Sequence, residues 1–240
     1  MSPLFPIYFL CSAERKAMVP FWQGMREDVI PMGKCVIIAP LYEGEEPAWV
    51  EHSAEDFVVC ADGGYDAAMR YGIQPDLVIG DFDSMPMDHV KDTPLHRLPV
   101  HKDDTDMEVC LEEGRKRGYR EFYMLGCIGG RLDHTISNLQ CLYDCAMRGE
   151  TAWMADQQNR VTVLLPGEHI LHPVPGRHVS LLAFTPEVSG ICLKGTEWEL
   201  ENATLTNRDP LGVSNEARQE EIQLKFASGA LLLMYSVDRK

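Results

Sequence analysis

Acidic or glycine-rich clusters follow four successive apolar runs in the first two-thirds of the chain, and their residue types suit metal-assisted phosphate chemistry. FVVCA ends at Asp62-Gly63-Gly64, and LVI ends at Gly80-Asp81-Phe82-Asp83-Ser84. RLPV is followed by Asp103-Asp104-Thr105-Asp106, and FYML leads to Gly126-Cys127-Ile128-Gly129-Gly130-Arg131-Leu132-Asp133-His134. Gathered carboxylates repel one another unless a cation sits among them, and an oxygen-only set of Asp side chains suits Mg²⁺. Asp81 and Asp83 are two residues apart, so an extended segment would turn both carboxylates to one side and Phe82 into the core. A solvated surface turn is the competing reading, since Asp and Gly are common turn residues. Two further Asp clusters at equivalent positions weigh towards the metal.

Thr105-Asp106-Met107-Glu108 has the form of a capping box, Thr as N-cap and Glu three residues on. Asp106 then falls in the first helical turn, where its carboxylate is stabilised by the helix dipole and still points at a cation. Asp103 can do the same, and Asp104 is assigned to solvent. The Gly129-Gly130-Arg131 turn before a helix offers backbone N–H groups and a guanidinium to phosphate, with Lys102 as a further phosphate contact. It is neither a Walker A loop nor G-x-G-x-x-G. On local grounds alone Asp133 reads as an N-cap, Asn138 as part of a polar helix face and His134 as a hydrogen-bonding side chain without a metal set around it.

These clusters need a scaffold that brings them together. Each apolar run is short, bounded by Gly or Asp and followed by a helical stretch, which predicts strands at 34–39, 57–61, 77–79, 96–100, 121–125 and 151–155. Helices are predicted over 65–71, 106–117 and 133–148. The last is the clearest: Ile136, Leu139, Leu142, Tyr143, Ala146 and Met147 recur at three- and four-residue steps, and Gly149 follows as a stop. Alternating strands and helices imply a largely parallel sheet, and ligands of such sheets bind at the carboxyl ends of the strands. After about Asp156 the pattern changes to short β-prone runs, VTVLL, HILH, HVSLLAF, GICLK, ATLTN, EIQLKF and ALLLMYSV, punctuated by Pro-Gly and Ser-Gly pairs. The expected fold class is therefore α/β, an N-terminal largely parallel sheet with flanking helices followed by a C-terminal all-β sandwich. The expected division is an extension over 1–31, a nucleotide- and metal-binding domain over 32–157 and a sandwich over 158–240. Residues 1–31 hold four prolines and no clean periodicity, and read as a poorly ordered extension or as sequence ahead of a true start at Met32.

A formal charge of -15 opposes binding to nucleic acid or to an anionic membrane, while it suits a positively charged small substrate. The apolar stretch near the start is interrupted by Pro6 and falls short of a membrane span. The eight cysteines are scattered through apolar runs without paired C-x-x-C spacing, which favours reduced core thiols and a cytoplasmic protein.

Ala61-Asp62-Gly63-Gly64, the long string from Pro75 to Ser84, Asp103-Asp104-Thr105-Asp106, Gly129-Gly130-Arg131-Leu132-Asp133-His134 with Asn138-Leu139, and Gly212-Val213-Ser214-Asn215-Glu216 occur in the order seen in thiamine pyrophosphokinases. The chain resembles that family from about Lys34 to Val237. The resemblance implies a homodimer with sites between subunits and Mg²⁺-dependent transfer of pyrophosphate from ATP to thiamine, releasing AMP. It implies Asp62, Asp81, Asp83 and Asp106 as catalytic carboxylates, with Asp81, Asp83 and Asp106 holding the metal. It further implies Lys102, Asp103, Thr105, Arg131, Asp133, His134 and Asn138 as ATP contacts, and Ser214 and Asn215 as part of a thiamine-binding second domain. Two departures stand out: the extension before Lys34, and Trp198 where a smaller aromatic is expected. Trp198 is assigned either to stacking on the substrate or to a core or interface. The rival functions are a pterin pyrophosphokinase on the same scaffold, a metal-dependent phosphohydrolase and a non-catalytic nucleotide sensor. The phosphohydrolase reading suffers because its D-x-D pair normally follows the first strand.

Overall fold

The computed structural model describes residues 33–44, 53–82, 89–99 and 105–238. The expectations placed on residues 1–31 and on Asp83, Lys102, Asp103 and Asp104 lie outside the described residues. In chain order the elements are β1 (Cys35–Ile38), β2 (Phe57–Ala61), α1 (Gly64–Arg70), β3 (Leu77–Gly80), β4 (Leu95–Arg97), α2 (Asp106–Lys116), β5 (Glu121–Leu125), α3 (Leu132–Met147) and β6 (Thr151–Ala155). There follow β7 (Asn159–Leu164), β8 (Gly167–Leu171), β9 (His178–Ala183), β10 (Glu187–Lys194), β11 (Leu200–Thr206), β12 (Ile222–Phe226) and β13 (Leu231–Ser236).

The first six strands pair in parallel in the order β4-β3-β2-β1-β5-β6. The runs of Val, Ile, Leu and Cys in β1 to β3 are buried on both faces, as in parallel sheets covered on both sides. α2 and α3 cover one face, packing Met107, Leu111 and Leu142 onto Ile37, Val59, Phe122 and Met124. α1 covers the other face over β1 to β3, with Tyr65 and Ala68 against Ile38, Cys60 and Val78. Arg115 ties the two helices to β6, its guanidinium 2.9 Å from Glu150 and 3.2 Å from Asp144.

The expected α/β class with an all-β second half is found, and the two halves share a sheet: β7, β13 and β9 continue the first one, giving nine strands in the order β4-β3-β2-β1-β5-β6-β7-β13-β9. Only β11-β10-β12-β8 make a separate antiparallel sheet. That sheet covers the half of the large sheet that α1 leaves open, burying Leu171, Ile191, Leu193 and Leu224 against Tyr123, Trp153, Leu231 and Leu233. The expected boundary at 157/158 falls in the turn between β6 and β7, which pair across it.

Six of the seven cysteines among the described residues are buried. Burial pushes the thiols of Cys60, Cys141 and Cys145 up to about 12, so they are inert core groups. Among the described residues no helix is long and apolar enough to cross a membrane.

Candidate active site

The carboxyl ends of β2 and β3 lie side by side and bring two of the expected acids together. Asp62 leaves β2 with φ 45°, and its N–H donates to Ile79 O at 2.7 Å. Its side chain rests on Gly80: a β-carbon built there would lie 3.0 Å from Asp62 Oδ1. Asp81 follows at once and is half-buried, while Leu98 N–H holds Gly80 O at 2.8 Å and brings the end of β4 alongside. The glycine before Asp81 thus makes room for Asp62, which no reading of the D-x-D pair alone reveals.

Phe82 enters the core under α1 as expected, but its backbone differs from the extended form assumed for 81–83. Its φ is 57°, so the chain turns at Phe82. A left-handed residue costs about 1–2 kcal/mol, and burying a phenyl ring stabilises by about 1.5–3 kcal/mol. Burial therefore holds the turn. Strain of this kind next to a carboxylate is characteristic of functional loops.

The capping box at the start of α2 is present. Glu108 N–H donates to Thr105 Oγ1 at 3.3 Å, and Thr105 N–H donates to Glu108 Oε2 at 2.8 Å. Asp106 is accordingly the first residue of the helix and half-buried, fixed where the helix dipole favours its charge. Among the described residues no three His, Cys, Asp or Glu side chains converge on one metal position. Asp62, Asp81 and Asp106 nonetheless supply oxygen donors only, from two neighbouring strand ends and a helix start, a donor chemistry that fits a hard divalent cation.

The loop from β5 to α3 lies two strands from Asp62 on the same edge, at the point where the strand order reverses. Gly129 has φ 99°, a conformation open to glycine and closed to most side chains. Arg131 is the N-cap of α3, and its guanidinium reaches Asp133 at 2.6 Å with both side chains exposed. Asp133 is thus in the first turn and not the cap. The hydrogen bond from Arg131, with help from the His134 N–H, holds the Asp133 carboxyl below its ordinary value. Asn138 is buried, and its Nδ2 donates 3.0 Å to Cys127 O, so its described contact is with the loop itself.

The second-half residues meet at another place. Asn215 pairs with Val179 of β9 through two backbone bonds, so residues 213–215 extend the sheet beyond its edge strand. Its side chain clasps the backbone of Trp198, accepting from the N–H at 3.1 Å and donating to the carbonyl at 2.8 Å. Trp198 itself is 60% exposed, which excludes the core reading. Ser214, with φ 61°, donates its N–H to Ser180 Oγ at 3.0 Å and lines an open pocket of about 340 Å³. His178, Ser180, Leu182, Met234, Ser236 and Asp238 also line it, and no motif singles them out. The usable signal was the alternation in HVSLLA, which puts 178, 180 and 182 on one face. The turn between β6 and β7 places Asn159 and Ser236 on the same sheet edge as Asp62 and Asp81.

Two family models match the chain: the catalytic domain of thiamin pyrophosphokinase over residues 50–154 and its vitamin B1 binding domain over 168–231. Together they span most of the sequence. The chain belongs to the thiamine pyrophosphokinase family. It is 29% identical over 183 residues to the thiamine pyrophosphokinase of Bacillus subtilis, covering 74% of this chain and 86% of that one. The thiamin pyrophosphokinase 1 of Caenorhabditis elegans is 24% identical over 80% of this chain and 86% of its own length. The crystal structure of thiamin pyrophosphokinase from Geobacillus thermodenitrificans matches with a TM-score of 0.75 at 26% identity, covering 87% of this chain and 99% of that one. None of these relatives supports the pterin, phosphohydrolase or sensor readings. The catalytic-domain match of the thiamine pyrophosphokinase family takes in Asp62, Asp81, Asp106 and Arg131, and the second match takes in Trp198, Ser214 and Asn215.

Proposed function

We propose that this chain transfers pyrophosphate from ATP to the primary hydroxyl of thiamine, giving thiamine diphosphate and AMP, and that it does so as a homodimer. The observation that carries the catalytic assignment is the packing of Asp62 on Gly80, beside Asp81 and on the strand edge that also receives the Gly129-Gly130-Arg131 turn. Asp81, Asp83 and Asp106 would hold a Mg²⁺ ion, whose chemistry there would be to neutralise charge on the phosphates. Asp62 accepts the proton of the thiamine hydroxyl as its oxygen bonds to the β-phosphorus and the bond to the AMP oxygen breaks. Arg131, steered by Asp133, and Lys102 offset charge on the transferred group, with Asp103, Thr105, His134 and Asn138 as the remaining nucleotide contacts. Asn138 contributes through the loop it holds. The electronegative chain favours the fixed positive charge of the thiazolium ring.

The pocket lined by Ser214 is the thiamine seat in this reading, with Asn215 fixing the Trp198 turn beside it. β3 and β13 stand six strand positions apart, about 30 Å at the usual strand spacing, which is far more than the length of a thiamine molecule. The pocket of one protomer therefore serves the carboxylates of its partner. Exposed Trp198, Leu211 and Val213 around the pocket give this face the apolar character of a contact surface. Thiols buried in the core suit a reducing cytoplasm. The test offers thiamine and a hydroxymethyl pterin separately with ATP and Mg²⁺. AMP formed only with thiamine supports the proposal, and AMP formed preferentially with the pterin overturns it.

A further inference from the structure

The loop between β5 and α3 is tied at three points, and one tie comes from a residue that no motif singles out. Its entrance is held to the loop after β1, where Leu41 N–H donates to Gly126 O at 3.1 Å. Its middle is held by Asn138 on Cys127 O. Its exit is held by Thr135, from the first turn of α3, whose hydroxyl engages both polar groups of a single peptide residue. Thr135 Oγ1 accepts from Gly129 N–H at 3.1 Å and donates to Gly129 O at 3.2 Å.

This double bond falls where the chain most needs it. Gly129 and Gly130 are successive residues with φ 99° and 62°, and glycine has more conformations to lose on ordering than any other residue. Two glycines in a row would otherwise sample many turn shapes, only some of which aim Arg131 and the open N–H groups of the first helical turn at one anion. The Gly129 N–H is itself taken by Thr135, so it is not among the phosphate donors. Leu41 lies against the other side of the turn, with Cδ1 3.2 Å from where a Gly130 β-carbon would sit.

We infer that Thr135 is a positioning residue for the phosphates of ATP, holding the Gly129-Gly130-Arg131 turn in the one shape that receives them. The inference rests on the reading above that this turn faces the nucleotide. What the role requires is the hydroxyl and not the branched shape. Thr135→Val keeps the volume and removes both bonds, while Thr135→Ser keeps both bonds and removes a methyl group.

The test measures AMP release with ATP varied at saturating thiamine and the reverse, together with calorimetric binding of ATP and Mg²⁺ without thiamine. Arg131→Ala is the control. Thr135→Val should raise the KM and the dissociation constant for ATP about tenfold, in line with losing a pair of hydrogen bonds that fix a binding loop. The KM for thiamine should stay unchanged, and Thr135→Ser should remain within about twofold of the parent chain. A structural role alone would lower the melting temperature and leave the ATP constants alone. If Arg131→Ala weakens ATP and Thr135→Val does not, the inference falls and the nucleotide reading stands. If neither weakens ATP, both fall. If Ser is as impaired as Val, the hydroxyl is not the cause and the inference falls.

Discussion

Adding one methyl group at Gly80 should slow pyrophosphate transfer about tenfold without unfolding the chain. The β-carbon of Gly80→Ala would lie 3.0 Å from Asp62 Oδ1, 3.1 Å from its Cα and 3.2 Å from its Cβ, where ordinary contact begins at 3.4 Å. Gly80 has an ordinary φ, so the backbone accepts alanine and the whole effect passes through Asp62. Asp62 cannot retreat freely, because its N–H is bonded to Ile79 O and its own φ is already 45°. It must move by a few tenths of an ångström. A misplacement of ~1 Å costs ~100-fold in rate, so about half that costs about tenfold, or ~1.4 kcal/mol of transition-state stabilisation. Overpacking should also lower stability by about 1–3 kcal/mol, which a folded domain of this size tolerates. The assay is AMP release at saturating ATP and thiamine, with thermal unfolding followed on the same sample. A drop in kcat at near-constant KM is expected. A folded Gly80→Ala with kcat within twofold of the parent chain would refute the argument that the position of Asp62 governs the chemistry. If the variant does not fold, Asp62→Glu shifts the same carboxylate from the other side and carries the same expectation.

Two further outcomes follow from the geometry. Burial works to raise the Asp56 carboxyl, but the N–H groups of Lys34 and Ser53 and the Lys34 ammonium at 2.9 Å outweigh it and leave it lowered. A depressed carboxyl gives stability that is present above its unfolded pKa and lost as pH falls through the folded one. Asp56→Asn should therefore cost about 2–3 kcal/mol at neutral pH, as for hydrogen bonds to a charged group, and flatten the acid limb of a denaturant-midpoint series below pH ~4. An unchanged acid limb would contradict this. The composite site makes a second forecast. Asp81→Asn and the pocket-blocking Ser236→Trp should each be inactive alone, yet co-refolding equal amounts should restore about one quarter of the parent activity, because half the dimers then contain one intact site. No recovery would sink the shared-site reading.

Much of this architecture is legible from the chain because burial and period act locally. The all-apolar runs of β1 to β3 and the three- and four-residue repeat of α3 each report their own element. The destination of the later strands was legible too, but through a subtler signal. IQLKF of β12 alternates, with Ile222, Leu224 and Phe226 buried and Gln223 and Lys225 exposed, as befits a sheet with one wet face. The LLL run of β13 and the VTVL run of β7 are buried throughout, as befits a central strand covered on both sides. That difference assigns the strands to different sheets. The turn at Phe82 was not legible, because a left-handed phenylalanine is held by the distant core residues it packs among. The pocket residues were legible only in part: the alternation of HVSLLA puts His178 and Ser180 on one face, but Ser236 joins them only when β9 and β13 pair.

The most direct measurement compares the parent chain with Asp81→Asn, which removes a charge and keeps the shape, in ATP, Mg²⁺ and thiamine. The parent should release one AMP for each thiamine diphosphate formed, and the variant, with an unchanged melting temperature, should lose turnover at least ~1,000-fold. Near-normal AMP formation by folded Asp81→Asn would contradict the assignment of the β2 and β3 strand ends as the catalytic centre.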